Sequence, residues 1–500
     1  MKRLSVLILI LLGFLVGCTT NLPADTPLSI KGKVAIKTGE VTLLSANQEN
    51  IIWESMDEDI ATVDQTGLVE GITVGTTFIR ATLATNAIVF DQVTLEVIAG
   101  GTCTPNCTNC PAIEPEDVNV KLGIDTIDDH LDIFAGKRVG LITNATGINS
   151  DYASTIDVLN EKVDLVALYA PEHGIRGNLQ AGDVLGTYID TKTGLTVYSL
   201  YGSTLRPTQA MLQDIDIMCI DLQDAGARFY TYIYTMAYAM QECAKYDIEF
   251  VVFDRPNPIG GVQYEGNILD LNYSSFIGLY PILQRHGMTI AELAWLFNEE
   301  YGIGCTLHTI LMEGWDRRYY MDDTKLPWVI PSPNFPSLET AMVYPGTCLF
   351  EGTNLSEGRG TTIPFQVIGA PFIDADEYAD ALNELNLPGV VFRPAYFTPT
   401  FSKHKDTFCS GVQVHVTNRW TFEPVKTGWA MLDVVRDLYP NDFVILGASN
   451  NRCTLDLNTG ARYITTRMYT LLQQFAILTE DTQAFGVTRA NYLLYPNPSI

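Results

Sequence analysis

The strongest constraint on the fold is a rhythm between residues 138 and 256. Five apolar runs rich in β-formers recur there, RVGLIT, VDLVALYA, LTVYSL, IDIMCIDLQD and IEFVVFDRP. Helical patterns fill most of the gaps: YASTIDVLNEK, RPTQAMLQDI and ARFYTYIYTMAYAMQECAKYD. A strand that is apolar throughout must be covered on both faces, and crossover helices supply that cover in a parallel sheet. The segment is expected to form an α/β, Rossmann-like subdomain. No Gly-x-Gly-x-x-Gly follows the first strand, and Thr143 to Gly147 (TNATG) is too short to replace it, so a dinucleotide site is not expected.

Beyond residue 262 the rhythm weakens. One helix is clear, TIAELAWLFNEEYG, opened by Thr289 with Glu292 three residues on, a capping box. Around it run long Gly/Pro-rich stretches such as LPWVIPSPNFPSLETAMVYPGTCLFEGTNLSEGRGTTIPF. That much loop in one compact region indicates a binding surface. The expected division is a Rossmann-like subdomain over 119–261 and a smaller α+β subdomain over 262–500 that completes a cleft.

The amino-terminal part differs. Residues 27–98 alternate with period two between closely spaced turn residues, which indicates a small β-sandwich. Residues 99–118, GGTCTPNCTNCPAIEPEDVN, have no periodicity and read as a linker. Residues 1–18 read as an export signal: Lys2 and Arg3, an apolar run too short to span a bilayer, then Leu-Val-Gly before Cys18. That ending resembles a bacterial lipobox, so Cys18 is expected to carry lipid and tether the chain to a membrane outside the cytoplasm. Cys103, Cys107 and Cys110 lack a second Cys/His pair at zinc spacing; in an oxidising compartment a local disulfide is the expected fate.

At 500 residues the chain has room for two or three domains, and 47% hydrophobic with 18% charged residues is a core-forming composition. The net charge of −27 argues against nucleic acid as a partner and against a surface held by anionic lipid head groups.

In an open parallel sheet the chemistry gathers beyond the carboxyl ends of the strands. Three strands end in dense polar sequence: Pro171-Glu172-His173-Gly174, Asp221-Leu222-Gln223-Asp224 and Asp254-Arg255-Pro256-Asn257. Asp224 alone could be a simple helix cap, but three such ends converging on one rim make a candidate site. Arg228, Tyr230 and Tyr232 would add a cation and phenols at the same rim. The second candidate is EGTNLSEGRGTTIPF, where Glu351, Asn354, Glu357 and Arg359 sit among glycines 352, 358 and 360 that would let backbone approach a ligand. The alternative is a surface loop with an internal Glu–Arg pair.

Two carboxyl groups across a cleft suit glycoside hydrolysis, in which one gives a proton to the leaving oxygen. Metal hydrolysis is a weaker reading, because none of the six histidines falls in a His-x-x-x-His or His-Glu-x-x-His arrangement. No Gly-x-Ser-x-Gly elbow supports a serine nucleophile.

Two resemblances sharpen these expectations. The run IIWESMDEDIATVDQTGLVEGITVGTTFIRATL resembles the group 2 bacterial Ig-like domain, which implies a spacer or adhesion module. GKRVGLITNATG, VALYAPEHGIRG, TGLTVYSLYGSTLRPT, IDLQDAGARFYTYIYTM, FDRPNPIGG, HGMTIAELA, the long loop above and FRPAYFTPTFSKHKD resemble, in order, the exo-β-N-acetylmuramidase (NamZ-type) family. That family implies release of N-acetylmuramic acid from non-reducing ends of peptidoglycan fragments, with no cofactor. Glu172 falls on its motif glutamate and is the expected general acid, with His173 binding sugar or orienting that acid. Glu351 or Glu357 is the expected second carboxylate, unless the substrate's acetamido group participates and Asp224 orients it. The lactyl carboxylate calls for a guanidinium fork, Arg359 or Arg228. Asp224, Tyr232, Asn257 and Asn354 complete the expected sugar contacts. A wall-binding or adhesion lipoprotein without catalysis is the alternative.

Overall fold

The computed structural model describes residues 28–31, 35–37, 41–48, 50–84, 90–98, 119–172, 174–175 and 186–496. The chain forms two compact units, Met1–Cys110 and Pro111–Ile500. Cys18, the linker cysteines and His173 lie outside the described residues.

Among its described residues the first unit carries nine strands: β1 (Ile30–Lys31), β2 (Ala35–Lys37), β3 (Val41–Leu43), β4 (Ser45–Ala46), β5 (Ile51–Ser55), β6 (Ala61–Val63), β7 (Leu68–Gly71), β8 (Gly75–Leu83) and β9 (Phe90–Ile98). They pair as sheets ordered β2-β9-β8-β5 and β3-β7-β6 with a β1-β4 ladder, and Trp53, Val69, Ile79, Ala81 and Leu95 share one core. The Ala-Thr-Val-Asp-x-x-Gly motif closes over that core. Asp64 Oδ1 accepts from the amides of Thr66 and Leu68 at 2.8 and 3.0 Å. Gly67 turns at φ +86°, where a Cβ would collide with the Leu44 carbonyl and crowd the Trp53 ring.

The second unit is built on a seven-stranded sheet: β10 (Arg138–Thr143), β11 (Asp164–Ala170), β12 (Tyr188–Ile189), β13 (Thr196–Ser199), β14 (Ile217–Asp221), β15 (Glu249–Phe253) and β16 (Leu307–Ile310). Its order is β12-β13-β11-β10-β14-β15-β16, and every pair is parallel except β12 on β13. Its helices are α1 (Thr155–Lys162), α2 (Gln209–Leu212), α3 (Tyr232–Lys245) and α4 (Ile290–Trp295). Leu141, Cys219 and Val251 pack on one face with Leu159 of α1 and Phe134 of a 3-10 turn. Ile142, Ile220 and Val252 pack on the other with Met236 and Met240 of α3 and Leu293 of α4. The two-sided burial explains the continuous apolar runs. From β10 the chain goes to β11 on one side and resumes with β14 on the other, so the switch point falls between β10 and β14.

The remainder adds a three-stranded antiparallel sheet, β17 (Val367–Ala370), β18 (Val390–Phe397) and β19 (Cys409–Val416), in the order β17-β19-β18. Around it stand α5 (Leu338–Thr347), α6 (Ala375–Glu384), α7 (Pro424–Leu438), α8 (Thr454–Thr459) and α9 (Leu471–Ala490). Phe392, Val412 and Val414 share a core with Tyr378 of α6 and Trp429 of α7.

The Rossmann-like subdomain does not stop at 261. β16 extends its sheet, with Phe250 paired to Leu307, and α4 covers it. α4 opens as its capping box requires, with Thr289 and Glu292 exchanging bonds. α3 begins at Tyr232, later than the apolar pattern, because the preceding residues pair elsewhere: the Arg228 amide donates to the Gln284 carbonyl at 2.7 Å.

Candidate active site

β11 runs into Pro171 and Glu172 at the carboxyl edge of the sheet. There Glu172 Oε2 accepts from Thr231 Oγ1 at 3.0 Å. Thr231 is the N-cap residue of α3, so the carboxyl group sits where a helix presents its positive end. Phenols surround it. Burial first, then the neighbouring Glu172 charge, pushes the Tyr201 phenol above the ordinary tyrosine range. Burial does the same to Tyr230 and Tyr232, which also feel Glu172. Tyr201 bonds to the carboxyl group, while Tyr230 and Tyr232 lie within its electrostatic reach.

A second wall comes from the second half of the unit. α5 runs into a 3-10 turn, Cys348–Gly352, that carries Glu351. Arg359 bonds Glu351 through Nη2 and approaches Glu357 Oε1 with Nε at 3.2 Å. Lys403 reaches Glu357 Oε2 at 2.7 Å and donates to the carbonyls of Phe350 and Thr353 at 2.7 and 3.0 Å. Those carbonyls bracket Glu351, so Lys403 fastens the turn that holds it. The two carboxylates differ in access: the Glu351 side chain is 27% exposed, that of Glu357 only 2%. Phe365 lies under the Arg359 guanidinium at 5.1 Å with φ +65°, a strained conformation for a bulky residue, held by its amide bond to the Glu357 carbonyl at 2.6 Å.

An aromatic partition joins the walls. Tyr230, which feels Glu172, packs 6.1 Å from Tyr344, whose phenol feels Glu351. Phe335 and Phe365 complete it at 4.9 and 4.8 Å from Tyr344. At the switch point Asn144 donates to the Tyr232 hydroxyl at 2.7 Å, and that hydroxyl donates to the Pro331 carbonyl at 2.6 Å. The LPWVIPSP loop is thereby held over the strand ends. Its Trp328 lines a narrow recess with Thr146, Gln223 and Arg255, with room for about one water molecule.

The sequence of this unit matches two adjoining family descriptions: exo-beta-N-acetylmuramidase NamZ, N-terminal, over residues 139–339, and its C-terminal counterpart over 342–495. The chain belongs to the NamZ family. Residues 31–97 match the bacterial Ig-like domain, group 2. Peptidoglycan beta-N-acetylmuramidase NamZ of Bacillus subtilis (strain 168) is 51% identical over 404 residues, which is 80% of this chain and 96% of that protein. Two crystal structures of DUF1343 family proteins from Bacteroides fragilis NCTC 9343 superpose with TM-scores of 0.70 and 0.61, at 38% and 30% identity. Each covers 76% of this chain and 100% of its own.

Within the NamZ architecture several expected sugar contacts prove to be internal. Arg228 is fully buried and donates to the carbonyls of Asn267, Ile282, Asn458 and Thr459, locking the two halves of the unit together. It cannot also read a substrate carboxylate. Asn257 spans the Met288 carbonyl and the Ile259 amide, and Asn354 spans the Asp442 carbonyl and the Val444 amide. Tyr232 is buried and holds Pro331. Asp224, 4% exposed, accepts from the Gly226 amide at 2.7 Å and lies 3.2 Å from His286, which makes it a turn-former. Gly352, Gly358 and Gly360 each have protein where a Cβ would stand; on Gly360 it would lie 2.7 Å from the Phe401 backbone.

Asp221 and Arg255 of the strand-end motifs pair with each other, Arg255 Nη2 to Asp221 Oδ2 at 2.8 Å, and seal the sheet edge. Glu172, Glu351 and Arg359 stay partly exposed. Thr231, Tyr201 and Lys403 join them, and sequence reasoning missed all three. The signals available were a threonine before a helix, a tyrosine just past a strand end, and a lysine in FSKHKD.

Proposed function

We propose that this chain is an exo-acting glycoside hydrolase that removes N-acetylmuramic acid from the non-reducing ends of peptidoglycan fragments during cell-wall turnover. The observation that carries the reading is the seating of Glu172: a carboxyl group at a strand end, fixed by Thr231 and beside the Tyr201 phenol, in a chain half identical to a peptidoglycan β-N-acetylmuramidase. A glycosidic oxygen is a poor leaving group until a proton reaches it in the transition state, and Glu172 is the group assigned to deliver it. Glu351 is the better second carboxylate, because Glu357 is enclosed by two cations and has almost no surface. Arg359 aligns Glu351 and is the remaining guanidinium for the lactyl carboxylate once Arg228 is withdrawn.

Hydrolysis of 4-nitrophenyl β-N-acetylmuramide tests the assignment. Glu172→Gln is expected to lower kcat by about 10²–10⁴-fold. Undiminished turnover by that variant would overturn the Glu172 assignment, and no release by the parent protein would leave the wall-binding alternative. Membrane tethering through a lipidated Cys18 belongs to the same proposal, supported by Lys2, Arg3 and the short apolar run before it. Labelled palmitate should enter the full chain and be lost in Cys18→Ala.

A further inference from the structure

The loop that carries Lys403 has a second, outward side. Residues 398–408 join β18 to β19, and their inner side is fully used. Thr400 bonds the Gly360 carbonyl through its amide and its hydroxyl, both at 2.9 Å. Lys403 fastens the Glu351 turn, and His404 Nε2 lies 2.6 Å from the Asn354 carbonyl. Ser402, His404 and Asp406 adopt φ of 66°, 56° and 57°, a succession of left-handed non-glycine residues that costs backbone energy and is held by these bonds. The loop is therefore rigid and its outer surface preformed.

That outer surface is aromatic. Phe401 is 42% exposed, Tyr396 58% and Phe408 63%. Tyr396 pairs with Ser410 across the β18–β19 ladder, which sets Phe408 diagonally opposite it on the same face. Their rings are nearly parallel, 9° apart with centroids at 6.1 Å. Single exposed apolar residues need no explanation, but a fixed, parallel pair next to a cleft does. The charge here is also unlike the rest of the chain. Residues 390–416 hold Arg393, Lys403 and Lys405 against Asp406 alone, within a protein of net charge −27.

We infer that Tyr396, Phe408 and Phe401 form a glycan-binding platform that extends the cleft, with amino-sugar chains bearing carboxylates as its ligand. The inference rests on the proposed muramidase reading. A pyranose presents an apolar face of C–H bonds, which an aromatic face with its negative quadrupole attracts. Muramoyl carboxylates complement Lys405, an exposed cation in the same loop as Phe401 and Phe408. The occupant is the part of the strand beyond the residue being released. The same loop that fixes the Glu351 turn would then fix the polymer, so binding and chemistry share one rigid element.

The test compares two substrates on the full chain: a tetrasaccharide of alternating N-acetylmuramic acid and N-acetylglucosamine with a muramoyl non-reducing end, and 4-nitrophenyl β-N-acetylmuramide. For Tyr396→Ala/Phe408→Ala the ratio of kcat/KM, tetrasaccharide over nitrophenyl glycoside, should fall at least about fivefold. An unchanged ratio overturns the proposal. Calorimetric binding of the tetrasaccharide to Glu172→Gln, with and without the double substitution, needs no turnover. If the parent protein releases no sugar yet binds the tetrasaccharide through these rings, the platform stands and the muramidase reading falls. If the substitutions abolish self-association and leave sugar affinity intact, the face is an interface between copies and the proposal fails.

Discussion

Thr231 Oγ1 donates to Glu172 Oε2 across 3.0 Å, tying the end of β11 to the start of α3, the helix that follows β14. A bond to an ionisable acceptor contributes about 1.5–3 kcal/mol, and here it also fixes where the carboxyl group points. Thr231→Val is expected to lower kcat by roughly tenfold or more with KM little changed, while Thr231→Ser retains most activity. Steady-state kinetics of the two variants on the nitrophenyl glycoside check this.

Lys403 serves the other wall. Lys403→Met leaves Glu357, 2% exposed, with Arg359 as its remaining cation and frees the carbonyls of Phe350 and Thr353. Breaking such a pair from one side costs about 3 kcal/mol. Urea unfolding should show that loss, and kcat measured under conditions where the protein is fully folded should fall as well, because the Glu351 turn is no longer fastened. A variant that loses stability and keeps its kcat would reduce Lys403 to a structural tie.

Arg228 should behave in the opposite way. Its guanidinium satisfies four carbonyls inside the unit. Arg228→Ala is expected to destabilise by about 3–5 kcal/mol through orphaned buried carbonyls and a cavity, with KM of the folded fraction near that of the parent. A large rise in KM for muramic acid substrates without loss of stability would restore Arg228 as a ligand contact.

Glu265 gives a pH signature. It is buried and accepts from the amides of Val425 and Lys426 at the start of α7. Burial, then the charge of Glu423, raises its carboxyl group from 4.5 to about 7. With the folded value above the unfolded one, the folded state holds the proton more tightly, so this group's contribution is complete below pH 4.5 and is lost as pH rises towards 7. Stability curves of parent and Glu265→Gln should diverge across that window, the parent losing stability relative to the variant. Parallel curves would show that Glu265 does not titrate there.

The Ig-like unit offers an independent check. Gly67→Ala forces a side chain into φ +86° against Leu44 and Trp53 and should lower the stability of that unit by about 1–3 kcal/mol. Calorimetry should place the change in one transition and leave the other unit's transition unmoved.

Periodicity made the architecture of this protein legible. Apolar runs such as IDIMCIDLQD can be satisfied only between two covering layers, and the Trp53 and Asp64–Gly67 motifs specify a sandwich turn from neighbouring residues alone. Strand ends also located the rim and put Glu172 on it.

What sequence could not decide is which polar residues at that rim face outward. Arg228, Asn257 and Asn354 are as polar as Arg359, yet their partners lie up to 231 positions away in sequence and consume their bonds internally. The same holds for Lys403, a plain lysine in a loop until folding brings it against the carbonyls on either side of Glu351. Local pattern determines secondary structure and burial on average. Only the tertiary fold decides whether a polar side chain is spent on the protein's own backbone or left for a ligand, because that depends on contacts between segments with no sequence relation to each other.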